Sequence, residues 1–167
     1  DNINKQNYLY KIYQVYEQRC VQANAMDFDD LLVLTWKLFH EHEDIRQKYA
    51  ARFRYVLVDE FQDTNAVQQE IVTQLTREQQ HICVVGDDAQ SIYGFRGANI
   101  DNILNFQNIY PQCKLFKLEQ NYRSTQNIVQ AANSLIRHNE RQIPKASFSE
   151  NALGEKLIYE PLHSDRE

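Results

Sequence analysis

Glycine is scarce in this chain. Its four glycines are Gly86, Gly94, Gly97 and Gly154, and none is followed directly by lysine. No Gly-x-x-x-x-Gly-Lys-Ser/Thr occurs, so the loop whose backbone N–H groups cradle nucleotide phosphates is not encoded in this stretch. Cysteine is nearly as rare. Cys20, Cys83 and Cys113 lie far apart with no Cys-x-x-Cys pair, which argues for a reduced, intracellular protein without a zinc site. Positive charge is in deficit: 18 Lys and Arg stand against 23 Asp and Glu, a formal net charge of -5. That excludes a wholly basic nucleic-acid-binding surface and leaves room for a local basic groove. No apolar run is long enough to span a bilayer, and no signal-peptide pattern is present. Repeats and low-complexity segments are absent. His40 and His42 are two residues apart, so on a helix they diverge and make a poor metal pair.

What is present is enough for a packed core. The chain has 167 residues, 43% hydrophobic and 25% charged, the size of one domain or of one and part of another. Its organising stretch runs over 55–65, Tyr-Val-Leu-Val-Asp-Glu-Phe-Gln-Asp-Thr-Asn. Tyr55, Val56, Leu57 and Val58 read as a short strand buried on both faces of a parallel sheet. Asp59 and Glu60 follow without a break, at the strand end where open α/β sheets hold their ligands. A carboxylate pair there suits a Mg²⁺ ion and a proton taken from attacking water. The plainer reading is that the pair ends the strand and faces water.

Periodicity predicts helices over 3–24, 28–40, 44–52, 66–77, 100–110 and 124–138. Strands are expected at 55–58, 81–85, 114–118 and 156–159. In the first helix Leu9, Ile12, Tyr13, Tyr16 and Cys20 share a face, expected to be core. Asp27 caps the second helix, with Asp30 completing a capping-box pattern. Its apolar face is Phe28, Leu31, Leu32, Thr35, Leu38 and Phe39. Asp27, Asp29 and Asp30 need no metal to explain them, because a first turn favours carboxylates. Val67, Ile71, Val72 and Leu75 are the inward face of the 66–77 helix. Asn99 caps the 100–110 helix and Pro111 ends it. Strand and helix alternate, so the fold class is α/β: a parallel sheet flanked by helices.

Three strands then deliver polar residues at their C-terminal ends: Asp59-Glu60, Asp87-Asp88 with Gln90, and Asn121-Tyr122-Arg123. A parallel sheet brings at least the first two sets to one edge. A carboxylate pair, a glutamine and an arginine are the parts that nucleoside triphosphate hydrolysis needs. Val-Asp-Glu-Phe-Gln-Asp-Thr-Asn (58–65), Val-Val-Gly-Asp-Asp-Ala-Gln-Ser-Ile-Tyr-Gly-Phe-Arg-Gly-Ala (84–98) and Leu-Glu-Gln-Asn-Tyr-Arg-Ser-Thr (118–125) closely resemble motifs II, III and IV of superfamily 1 DNA helicases of the UvrD/PcrA/Rep type. Met-Asp-Phe-Asp-Asp-Leu-Leu (26–32) resembles a further family segment. The order and intervals fit, and the resemblance covers nearly the whole chain.

The resemblance implies an incomplete RecA-like P-loop NTPase motor and the following roles. Asp59 is the Mg²⁺-binding acid and Glu60 the catalytic base. Gln90 links the γ-phosphate of ATP to the DNA site. Arg123 reaches the γ-phosphate from the second motor domain, and Tyr122 stacks on adenine. Tyr93 and Phe95 stack on single-stranded bases with Arg96 beside them, and Phe28 is a further DNA contact. Many members carry Trp where this chain has Phe95, which offers a π-face of smaller area. Other readings stand beside these. Tyr93 and Phe95 could be core if they lie on one face of an extended segment. Arg96 and Arg123 could be surface ion-pair formers, although a position just before a helix favours an anion site for Arg123. Phe28 lies on an apolar helix face, where core and DNA contact weigh equally.

In this family the phosphate loop lies upstream, and motifs V and VI lie downstream. The expectation is therefore an internal fragment. Residues 1–26 would end a helical insert subdomain, 27–118 would be the later part of motor domain 1A, and 119–167 would open motor domain 2A. The hinge is expected near 117–120. The parent would be a cytosolic, Mg²⁺- and ATP-dependent helicase acting on single-stranded DNA and single-strand/duplex junctions, with no membrane partner. The fragment alone is expected not to hydrolyse ATP, and to self-associate through an exposed sheet edge. Two other classes compete. A metal-dependent nuclease is suggested by the many carboxylates, but the acid-x-Lys tripeptide common at such sites is absent. A non-catalytic single-stranded DNA-binding module derived from such a helicase would have no need of Asp59, Glu60, Gln90 and Arg123 together.

Overall fold

Asp27 sets the start of the best-defined helix. In a computed structural model, which describes residues 2–161 and the side chains of 7–161, helix α2 spans Phe28–Glu41. The Asp27 carboxylate accepts from Asp30 N at 2.8 Å, and Asp30 Oδ2 accepts from Asp27 N at 3.1 Å. That is the reciprocal capping box the sequence predicts, and it satisfies two backbone donors at once. Helix α1 (Asn2–Gln22) precedes α2 and is tied to its cap by Tyr16 Oη, which donates to Asp27 Oδ2 at 2.8 Å. Helices α3 (Glu43–Arg52) and α4 (Ala66–Thr76) pack with α2. At their junction Arg46 is 1% exposed. Its guanidinium donates to Glu43, to Glu78 and to the Gln74 carbonyl.

The sheet has two strands, β1 (Val56–Val58) and β2 (Ile82–Val84), paired in parallel with Val56 opposite Ile82 and Val58 opposite Val84. Val58, Ile82 and Val84 pack on a core of Phe61, Phe106 and Tyr110, joined by Ile103 and Cys113. Phe61 meets Phe106 edge to face, with ring centroids 5.6 Å apart. The Tyr110 hydroxyl is 2.6 Å from that of Thr76, which is fully buried at the end of α4. Helices α5 (Asp101–Leu104), α6 (Phe106–Ile109) and α7 (Gln126–Ile136) complete the described elements. The α/β class and the parallel pairing are as expected.

Several expectations are corrected. Leu57 is 76% exposed and Cys83 is exposed too, so β1 is covered on one face only. Among the described residues no element lies over the other face. The apolar stripe of α1 is also not core: Leu9, Ile12, Tyr13 and Tyr16 are exposed, because among the described residues no helix packs along it. On α2 only Phe39 is buried, and Phe28 is 89% exposed. On α4 the predicted inward residues are half-buried, while Gln69, Gln74 and Thr76 are the covered positions. The predicted 100–110 helix is interrupted at Asn105 (φ -99°, ψ 9°). Residues 114–118 and 156–159 form no ladder. A strand needs a neighbour to take up its backbone groups, and the 114–120 stretch meets one only at its end, where Gln120 bridges Phe148.

Candidate active site

The end of β1 is shaped by hydrogen bonds to β2. Val85 N donates to Val58 O at 2.8 Å, and Phe61 N donates to Val85 O at 2.9 Å. The chain therefore turns across the end of β2 within two residues. Glu60 takes the turn in the left-handed region (φ 48°, ψ 42°), which costs a side-chain-bearing residue of order 1–3 kcal/mol. Asp59 Oδ1 accepts from Glu60 N at 2.9 Å and braces it. Both carboxylates are exposed. After β2, Asp87 Oδ1 accepts from Ala89 N at 3.1 Å and starts the short turn that carries Gln90.

One residue of each set, Glu60 and Gln90, lines a cleft of about 510 Å³ together with Gln62, Asp63, Ala89, Ile92 and Tyr93, while Asp59, Asp87 and Asp88 lie outside that lining. A continuous chain of hydrogen bonds runs through its wall. Gln62 Nε2 donates to Glu60 Oε2 at 2.8 Å, and Asp87 N donates to Gln62 Oε1 at 3.0 Å. Gln90 Nε2 donates to Asp87 Oδ2 at 2.8 Å. Gly86 makes this contact possible. A Cβ there would lie 2.7 Å from Gln62 Oε1, 2.9 Å from Ile103 Cδ1 and 3.2 Å from Phe61 N, so a larger residue would push the Gln62 amide out of this position.

Lys145, from far along the chain, backs the turn after β2, donating to Asp87 Oδ1 at 2.5 Å and to Asp88 Oδ1 at 2.6 Å. Ile143 N donates to Asp88 Oδ2 at 2.8 Å. Burial pushes the Asp87 carboxyl up, but the hydrogen bonds from Lys145 and Gln90 together hold it below the ordinary range. Burial likewise opposes the Lys145 charge, and Asp87 and Asp88 outweigh it and raise its pKa.

Tyr93, Phe95 and Arg96 occupy a tight turn, not an extended segment. Tyr93 is 39% and Phe95 80% exposed, so neither is core. Arg96 Cζ lies 5.4 Å from both ring centroids, within cation–π range. Tyr93 thus belongs to the cleft lining and to this outer cluster at once. Phe28 projects from the first turn of α2 into solvent. Tyr122 and Arg123 are exposed and lie outside the cleft lining. Their loop is fixed by Asn121 Oδ1, which accepts from Arg123 N at 2.9 Å and Ser124 N at 2.8 Å, and by Asn151, which donates to Tyr122 O and Ser124 O.

Among the described residues no group of three or more His, Cys, Asp or Glu is arranged to hold a metal unaided. The donors nevertheless suit Mg²⁺, which commonly takes one or two carboxylates and completes its shell with phosphate and water. Asp59 offers an exposed carboxylate. Asp63 lines the cleft with an Oδ1 that is buried and has no hydrogen-bond partner. Gln62, Lys145 and Asn151 were missed in the sequence. Gln62 lies inside the 58–65 motif and could have been flagged there, whereas Lys145 and Asn151 act only through long-range contacts.

An α/β unit with acidic, amide and aromatic groups gathered at the carboxyl ends of two parallel strands is the architecture of a nucleotide-binding domain. Residues 1–111 match the UvrD/REP helicase N-terminal domain, and 116–167 match the UvrD-like helicase C-terminal domain. The chain belongs to the UvrD/REP helicase family, and its α/β architecture is an incomplete RecA-like domain. It is 46% identical over 149 residues to an ATP-dependent DNA helicase PcrA of Leuconostoc citreum, a match covering 89% of this chain and 20% of that protein. Against PcrA of Staphylococcus epidermidis it is 44% identical over 156 residues, covering 93% and 21%. Against PcrA of Staphylococcus aureus the identity is 42% over the same length, with the same coverage. The chain thus spans about a fifth of the length of the curated relatives it matches. No helix among the described residues is long and apolar enough to cross a membrane.

Proposed function

We propose that this chain is the coupling portion of a cytosolic ATP-dependent DNA helicase, which converts Mg-ATP hydrolysis into movement on single-stranded DNA and unwinding at single-strand/duplex junctions. The observation that carries the reading is the hydrogen-bonded wall from Glu60 to Gln90 around a cleft that Tyr93 also lines. A nucleotide-facing carboxylate and a base-sized aromatic surface are then parts of one rigid unit. Glu60 takes a proton from the attacking water, and Gln90 reports the γ-phosphate. Asp59 would hold Mg²⁺, with Asp63 suited to its water shell; the ion, when bound, neutralises charge on the phosphates. Tyr122 and Arg123 would serve adenine and the γ-phosphate after the second half closes onto the first, turning near 117–120.

In the division we propose, 1–26 end a helical insert, 27–118 belong to the first motor domain and 119–167 open the second. The changeover between the two family matches at 111–116 supports it. The chain by itself lacks the phosphate-loop lysine and does not hydrolyse ATP. It self-associates through the uncovered face of Tyr55, Leu57 and Val85. Sedimentation of the isolated chain as a monomer at all concentrations would rule that association out.

The reading is tested on the full-length protein that contains this chain, by ATP turnover with and without single-stranded DNA. Stimulation by DNA supports it. DNA binding without turnover points instead to a non-catalytic binding module. Phe28, Tyr93, Phe95 and Arg96 are the proposed DNA contacts. Replacing one stacking ring by alanine removes about 1–3 kcal/mol, so Phe95→Ala is expected to weaken single-stranded DNA binding roughly 5- to 150-fold. Fluorescence anisotropy with a labelled oligonucleotide measures it, and unchanged affinity would remove Phe95 from the DNA site.

A further inference from the structure

Gln62 is 1% exposed, yet every polar atom it uses faces a functional segment. Nε2 donates to Glu60 Oε2 at 2.8 Å and lies 3.4 Å from Asp63 Oδ2. Oε1 accepts from Asp87 N at 3.0 Å. Its backbone carbonyl accepts from Ser91 Oγ at 3.2 Å, on the segment between Gln90 and Tyr93. The amide has one workable orientation. Flipped, it would set oxygen against the Glu60 carboxylate and NH₂ against the Asp87 N–H, a repulsion at both ends. The missing Cβ of Gly86 leaves the space that Oε1 occupies.

We propose that Gln62 is a positioning residue for ATP hydrolysis, aligning the Glu60 carboxylate with the strand end that carries Gln90. The inference rests on the function proposed above. Glu60 sits in a left-handed backbone conformation with an exposed side chain, so its carboxylate is free to sweep unless a neighbour holds it. Gln62 is that neighbour. Through Asp87, whose carboxylate holds the Gln90 amide at 2.8 Å, it sets base and phosphate sensor in one frame. Such a contact bears on the transition state more than on ground-state binding, so its loss lowers kcat and leaves KM for ATP largely in place.

The test uses the full-length protein. Gln62→Glu keeps an acceptor for the Asp87 N–H and removes the donor to Glu60. Gln62→Met keeps the volume and removes both. Asn102→Ala is the structural control, because Asn102 is buried and its side chain donates only to Thr64 and the Asn65 carbonyl. In both Gln62 variants kcat is expected to fall about 10- to 100-fold, with KM within about threefold. Asn102→Ala is expected to lower Tm with kcat per folded molecule unchanged. Gln62 variants that turn over at the wild-type kcat, or that lose activity only in proportion to Tm as the control does, overturn the positioning role. A wild-type protein without ATP turnover fails the functional reading itself, and the two failures are distinguishable.

Discussion

Glu60→Gln is expected to lower DNA-stimulated ATP turnover of the full-length protein by about 10²–10⁴-fold, the contribution of a positioned general base. The change is isosteric and removes one charge. The new amide oxygen can still accept from Gln62 Nε2, so the hydrogen-bonded wall persists. Glu60 is exposed in the free chain, so losing its charge leaves no buried partner uncompensated. Fold stability and nucleotide affinity should therefore hold while kcat collapses. Steady-state turnover, equilibrium binding of a fluorescent nucleotide and thermal melting measured together separate these quantities. A variant that hydrolyses ATP at the wild-type rate would show that the base lies elsewhere. A variant that fails to bind nucleotide would show that Glu60 holds the substrate and takes no proton from water.

Local signals were legible in the sequence and neighbourhood was not. The capping box at Asp27 and Asp30, the apolar runs of β1 and β2, and the convergence of Glu60 and Gln90 at one sheet edge all follow from short spacings. So did the polar ends of both strands, because a parallel pair must place its carboxyl ends together. Burial is a different matter. An apolar stripe states that a face can be covered, not that a partner is at hand, and so the stripe of α1 and the outer face of β1 are exposed. Residues 114–118 have strand composition but no third ladder position, since β-propensity depends on a neighbour being present. Alternation alone leaves Tyr93 and Phe95 open between core and surface; the tight turn Gly94–Arg96 breaks that alternation and exposes both. The apolar face of α2 leaves Phe28 equally open, and its first-turn position carries it away from the helix packing.

Lys145→Met is expected to destabilise the chain by about 2–3 kcal/mol. Breaking a fully buried ion pair costs about 3–5 kcal/mol. Lys145 is 23% and Asp87 37% exposed, while Asp88 is only 3% exposed, so solvent screens part of the effect and Asp88 carries most of what remains. Methionine keeps the apolar stem and removes the ammonium, leaving the Asp88 carboxylate with the Ile143 backbone N–H as its remaining donor from the 141–145 segment. The pH dependence has a definite sign. Asp87 is depressed in the folded chain, so its contribution is full above its unfolded pKa near 3.8 and is lost as pH falls through the folded value. Lys145 is raised, so its contribution is full below about 10.5 and is lost as pH rises through its folded value. The gap in Tm between wild type and Lys145→Met should be widest near neutrality and narrow toward both extremes. A gap that ignores pH would mean that the lysine stem is what counts and its charge is not. Because 141–145 fall within the second family match and Asp87 and Asp88 within the first, this ion pair, with Arg141 to Asp101 beside it, is the seam across which the proposed closure of Arg123 must act. Under the proposed function, a seam anchored on the residue that also holds Gln90 would let relative movement of the two halves and occupancy of the nucleotide cleft bias one another.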